Sequence, residues 1–171
     1  QPLAIGGFLE TEKVSAHEPG PHILTGAEAG HILGGQANLW TEYIGDGRHA
    51  EYMALPRLAA LAEAVWTPKA GRDWPDFASR LGALLARYEE AGLNPARSAY
   101  LVRVGVASIP GKNRAAAALA AEVPGLDIRY TTDGADPTPA SKRYVKPLGL
   151  RRTTEVRAAA FEAGRRLSPA V

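Results

Sequence analysis

No cysteine occurs among the 171 residues, which excludes disulfides, thiolate metal ligands and thiol nucleophiles and leaves packing as the source of stability. No apolar run approaches the ~20 residues that cross a bilayer. Gln1-Pro2-Leu3 also lacks the charged region and apolar stretch of an export signal. Position 1 is not methionine, so the chain reads as truncated or processed and export stays open. His17, His22, His31 and His49 show no His-Glu-x-x-His spacing, so no metal centre is expected. Gly34-Gly35 and Gly45-Asp46-Gly47 lack the endings that cradle phosphates, and no Gly-x-Ser-x-Gly elbow is present. Phosphate and acyl-transfer chemistry are set aside, and no cofactor is implied.

What is present is a globular composition, 46% hydrophobic with a formal charge of +2, long enough for one or two domains. The two parts of the chain differ. Residues 1–97 hold 8 Lys and Arg against 12 Asp and Glu, while residues 98–171 hold 12 against 6. Trp40, Trp66 and Trp74 all lie in the first part. The cations of the second part are scattered among few aromatics, which argues for a solvated Arg-rich face rather than binding of nucleic acid or an anionic surface.

Residues 1–30 are rich in Gly, Pro and polar residues, with Glu18-Pro19-Gly20-Pro21 at their centre, and read as a long connecting loop. The loop closes with a short helix at 25–30, where Thr25 and Glu28 have the spacing of a capping box. Ile32-Leu33-Gly34-Gly35-Gln36-Ala37-Asn38-Leu39-Trp40 is short and interrupted by glycine, which predicts a buried strand approached closely by other elements. A helix follows from about Ala50 to Trp66, with Met53, Leu58, Leu61, Ala62 and Val65 as its apolar stripe and Pro56 in its first turns. A second helix starts near Asp73 and presents Phe77, Leu81, Leu84, Leu85 and Tyr88 before Gly92 stops it. This is the strand–helix pattern of an α/β architecture.

Beyond Asn94-Pro95-Ala96-Arg97-Ser98 the period changes from helical to alternating. Residues 100–107, 127–132 and 155–161 read as strands, and 115–121 as either a short helix or a strand of small residues. Val156, Ala158 and Ala160 share one predicted face. Asp133-Gly134 and Asp136-Pro137 supply turns. The expected architecture is therefore an α/β part over residues 1–97 and a small β-sandwich over residues 98–171.

Trp40 and Glu42 stand two apart at the end of the predicted strand, where alternation turns both toward one side. A pyranose fits such a pair, because its C–H face packs on an indole and its hydroxyls donate to a carboxylate. Each charge-assisted bond of that kind is worth roughly 1.5–3 kcal/mol. A core tryptophan followed by a rim glutamate capping the next loop would give the same spacing.

The string from Ile32 to Glu42, then Glu51-Tyr52, the run from Leu55 to Glu63, and Trp66 resemble the last strand and helix of family-20 glycoside hydrolases. Asp73-Trp74, Phe77, Arg80-Leu81 and Gly92 continue in register. The run from Ile128 to Thr138, with Ser141, Tyr144 and Val156-Arg157-Ala158, resembles the immunoglobulin-like domain of chitobiase-type members. The resemblance implies the last strand–helix units of a (β/α)₈ TIM barrel over 1–97, then an immunoglobulin-like sandwich over 98–171.

It also implies an exo-β-N-acetylhexosaminidase with retaining, substrate-assisted catalysis, an exception to the two-carboxylate scheme. The acetamido oxygen of the substrate attacks C1, a Glu protonates the leaving oxygen and an adjacent Asp orients the amide. No Asp-Glu dipeptide occurs in the chain, so no catalytic residue is assigned here and that pair is expected upstream. By the resemblance, Trp40 walls the pocket around the sugar and Glu42 binds its C4 and C6 hydroxyls. Arg57 and Glu63 read as structural. Ser15 and His17 stand where the family often has aromatic residues.

The implied partners are N-acetylhexosamine-containing oligosaccharides or glycoconjugates and the missing N-terminal barrel portion, with no nucleic acid and no membrane span. A periplasmic or secreted location is an expectation from the polymeric substrate. The alternative reading is a carbohydrate-binding or structural module without catalysis, whose second half docks on a barrel or an anionic glycan.

Overall fold

The computed structural model describes residues 9–110 and 114–171, and the chain divides into two compact units, Gln1–Ala96 and Arg97–Val171. In the first unit the described elements are helical: α1 Thr11–Ser15, α2 Gly26–Ala29, α3 Gly47–Ala54, α4 Arg57–Trp66 and α5 Trp74–Glu90.

The cap residues explain where these helices begin. Thr25 and Glu28 form the capping box, with the Glu28 carboxylate accepting from the Thr25 N–H at 2.8 Å and hydroxyl at 2.7 Å. Those bonds hold the Glu28 carboxyl below its ordinary range. Asp46 accepts from the His49 N–H at 2.7 Å, and Asp73 from the Asp76 N–H at 3.0 Å. Each satisfies an amide that the first turn leaves orphaned. Gly92, at φ 76°, takes the left-handed conformation just past α5.

The single helix expected from Ala50 to Trp66 is instead two. Pro56 follows a cis peptide bond, and Leu55 is extended at φ −98°, ψ 138°. Proline supplies no N–H and disfavours the helical conformation in the residue before it, so α3 stops and α4 restarts. The Arg57 side chain fills the break. It is buried and donates to the Met53 carbonyl at 2.9 Å, the Tyr52 carbonyl at 3.4 Å and the Leu9 carbonyl at 2.9 Å. A cation here caps the carbonyl end of α3, where the helix dipole favours it. From the other side, Glu51 accepts from the Asn94 N–H at 2.8 Å, and the Asn94 amide donates to the Arg48 carbonyl at 3.0 Å.

The buried face of α4 is Arg57, Ala60, Leu61 and Ala64, which within this helix shares only Leu61 with the stripe read from the sequence. Leu58 and Ala62 point outward, with Leu58 55% exposed. The i, i+3, i+4, i+7 period is as expected, but its phase is set by small residues that let α1 pack closely on α4. α1 itself falls in a segment read as loop. For α5 the buried residues are Phe77, Ala78, Leu81 and Leu85, in agreement with the predicted face.

The predicted strand from Ile32 to Trp40 is not a strand here. These residues have no regular structure and are exposed, with no ladder partner among the described residues. The reason is physical: a parallel strand between others takes its hydrogen bonds from neighbours on both sides, and the first unit contains no described strand to provide them. Gly35 does allow a close approach, since a Cβ there would lie 3.0 Å from Val65 Cγ1 of α4.

The second unit is built of antiparallel strands: β1 Arg103–Ser108, β2 Ala115–Ala120, β3 Asp127–Thr131, β4 Lys142–Arg143, β5 Leu148–Leu150, β6 Arg157–Glu162 and β7 Arg165–Arg166. They form a three-stranded sheet in the order β1-β2-β5 and a four-stranded sheet in the order β4-β3-β6-β7. The open choice for 115–121 is thereby a strand. In β6, Ala158, Ala159, Ala160 and Phe161 are all buried, so the predicted one-sided alternation is replaced by burial on both faces. β6 lies between β3 and β7, and Val171 exchanges two backbone hydrogen bonds with Ala158, each 3.0 Å.

The turn after β3 depends on glycine. Gly134 sits at φ 79°, and Asp133 Oδ1 accepts from the Ala135 N–H at 3.1 Å. A side chain at that φ costs about 1–2 kcal/mol. Gly134→Ala is expected to lower the urea unfolding free energy of the second unit by about 1 kcal/mol, with Gly134→Asn costing less because asparagine tolerates this region. Equal stability of the alanine variant would contradict the turn assignment.

Candidate functional site

Trp40 ends the irregular segment that runs ahead of α3. Trp40 is 72% exposed. The backbone then folds into a tight turn in which the Ile44 N–H donates to the Thr41 carbonyl at 3.0 Å, with Glu42 and Tyr43 at the two central positions. Two residues on, Asp46 caps α3. The local sequence accounts for this: Gly45 and Gly47 flank the cap, and the cap fixes where the turn must end.

Strand alternation therefore does not relate Trp40 to Glu42, because Glu42 lies in the turn. Their Cα atoms are nevertheless within about 7 Å by chain geometry alone. Glu42 is exposed and makes no hydrogen bond or ion pair among the described residues. The indole, too, is outside any core. Chemically the segment offers an exposed apolar plane and, two residues on, an exposed carboxylate that makes no hydrogen bond or ion pair among the described residues.

The loop ahead of this segment is anchored separately. Arg72 bonds the His17 carbonyl and pairs with the Glu18 carboxylate at 2.7 Å, and Pro19 lies near the position a Gly35 Cβ would take. This anchor was not legible in the sequence, because Arg72 and Glu18 are 54 residues apart.

Arg57 and Glu63 are both in structural roles. Glu63 pairs with Arg80 at 2.7 Å, joining α4 to α5, and Arg80 also lies over the Phe77 ring at 5.6 Å. Beside them is an open depression of about 450 Å³ lined by Leu58, Ala59, Ala62, Glu63, Trp66, Thr67 and Tyr88, which the sequence reading missed. Its one carboxylate is already held by Arg80, so it offers an apolar surface rather than a polar site. Among the described residues no three His, Asp or Glu side chains gather as a metal-holding group, and no helix is long and apolar enough to cross a membrane.

Comparison with known proteins adds to this geometry. Residues 1–69 match the family described as glycosyl hydrolase family 20, catalytic domain, and residues 111–171 match the chitobiase/beta-hexosaminidase C-terminal domain. The chain is 33% identical to a beta-hexosaminidase of Porphyromonas gingivalis over 177 aligned residues, covering 99% of this chain and 22% of that protein. It is 32% identical to a beta-N-acetylhexosaminidase of Cellulomonas fimi over 109 residues, 64% of this chain and 22% of that protein. A beta-hexosaminidase of Akkermansia muciniphila is 46% identical over 54 residues, 32% of this chain and 11% of that protein. The chain thus spans about a fifth or less of the length of these curated relatives.

Proposed function

The chain carries a segment of the glycosyl hydrolase family 20 catalytic domain ahead of a chitobiase/beta-hexosaminidase C-terminal domain, and on that premise we propose that the longer protein is an exo-β-N-acetylhexosaminidase. It removes terminal non-reducing N-acetylhexosamine from oligosaccharides or glycoconjugates with retention, the acetamido oxygen of the substrate acting as nucleophile. The acid and the amide-orienting aspartate come from elsewhere in the longer protein, since this chain holds no Asp-Glu pair. Trp40 walls the sugar pocket and Glu42 accepts from the C4 and C6 hydroxyls. Neither moves a proton.

In this reading residues 1–97 close a (β/α)₈ barrel and residues 98–171 form an immunoglobulin-like sandwich. Ile32–Trp40 becomes a strand once neighbouring barrel strands complete its hydrogen bonds. The polymeric substrate points to a periplasmic or secreted protein.

The observation that carries the proposal is that the matched segment contains Trp40-Thr41-Glu42 with both functional side chains exposed and uncommitted. Release of p-nitrophenol from p-nitrophenyl N-acetyl-β-glucosaminide tests it. The longer protein should turn this substrate over and the 171-residue chain should not. An inert longer protein would overturn the activity, and turnover by this chain alone would overturn the placement of the acid.

A further inference from the structure

Five of the cations of the second unit fall within residues 142–152, as Lys142, Arg143, Lys146, Arg151 and Arg152, and no Asp or Glu occurs anywhere from 137 to 154. The topology gathers them on one border. β4 is an edge strand of the four-stranded sheet and β5 an edge strand of the three-stranded sheet. Tyr144–Pro147 alone connect them, so the two edges lie within ~18 Å of each other. All five cations are exposed.

Three other cations of this unit are paired with carboxylates. Arg157 and Arg166 share Asp136, at 2.7 and 3.2 Å, and Arg129 pairs with Asp127 at 2.8 Å. Of the five on the border, only Arg143 is paired, with Asp127 at 3.2 Å. Lys142, Lys146, Arg151 and Arg152 enter no ion pair among the described residues. Charge on an edge strand also discourages strand-to-strand association. Arg151 and Arg152, however, lie beyond β5, in the bend leading toward β6, where no edge needs guarding.

We propose that this border binds a linear acidic polysaccharide, a chain of uronate or sulfate groups that runs across the two sheet edges. A group of exposed cations, four of them without an ion pair among the described residues, attracts a polyanion through summed charge at low salt. The border has no exposed aromatic ring on which a base could stack, since Tyr144 is half-buried, and this disfavours single-stranded nucleic acid. The choice of a polysaccharide over other polyanions rests on the glycan-cleaving reading above.

The test is calorimetric titration of the whole chain with chondroitin sulfate at low salt, with neutral dextran and a short DNA duplex as comparison ligands. K142Q/K146Q/R151Q/R152Q removes four border cations, and K13Q/R48Q/K69Q/R87Q removes as many exposed cations from the first unit. The border variant should weaken chondroitin sulfate binding about tenfold or more and the other variant about twofold or less, with added salt eroding the native affinity. Three results would overturn the proposal: native affinity no greater than for dextran, equal losses in both variants, or tighter binding of the duplex. Failure of the hydrolase reading would show instead in the kinetics of the longer protein, which this titration does not measure.

Discussion

Replacing Trp40 with alanine in the longer protein should lower kcat/KM for p-nitrophenyl N-acetyl-β-glucosaminide by about 10- to 100-fold, because burying an aromatic face against the sugar is worth about 1.5–3 kcal/mol. Glu42→Gln should cost about tenfold or more, since it keeps the shape and one acceptor but loses the charge that strengthens the bonds to the hydroxyls. The two effects differ in a testable way. With a substrate lacking the C4 or C6 hydroxyl, the Glu42→Gln loss should shrink, while the Trp40→Ala loss should persist. Folding of the 171-residue chain should be little changed by either substitution, because Trp40 is 72% exposed and the Glu42 carboxylate holds no partner among the described residues. Unchanged kinetics in both variants would remove the site assignment while leaving the family match untouched.

Leu81→Ala should destabilise the first unit by about 2–5 kcal/mol, the range for removing a fully buried leucine and leaving a cavity. Leu81 is 1% exposed in the middle of α5, on the buried face with Phe77, Ala78 and Leu85. Leu58→Ala is the matched comparison. At 55% exposure its change should stay within about 0.5 kcal/mol. The described helices of eight residues or more all belong to the first unit, so chemical denaturation followed by helical circular dichroism reports on it selectively. A Leu58→Ala loss as large as that expected for Leu81→Ala would mean that the phase of α4 is wrong.

That phase marks a boundary between what pattern reveals and what packing decides. The sequence placed Leu58 and Ala62 on the apolar stripe because both are hydrophobic at helical spacing. The structure turns them out and buries Arg57 in their place, because three backbone carbonyls need its donors and the alanines of α4 admit close packing. Hydrophobicity by itself does not count hydrogen bonds. Likewise Pro56 was read in the first turns of one helix, and only the arrangement of Leu55 and Arg57 shows that it divides two.

Local chemistry carried much of the rest. The caps at Thr25, Asp46 and Asp73, the stop at Gly92 and the turn at Asp133-Gly134 follow from side chains that satisfy their own neighbours' backbone, and of these the sequence reading missed only Asp46. The change from helical to alternating period near Asn94–Ser98 is of the same local kind. So is the nearness of the Trp40 and Glu42 Cα atoms, which two residues of backbone enforce whatever the conformation. Tertiary structure alone decided the ladder orders of the two sheets, the burial of both faces of β6, the Arg72–Glu18 anchor and the absence of a ladder at Ile32–Trp40. A cap or a turn closes its hydrogen bonds within a few residues, whereas a strand or a buried guanidinium needs partners that only folding brings from far along the chain.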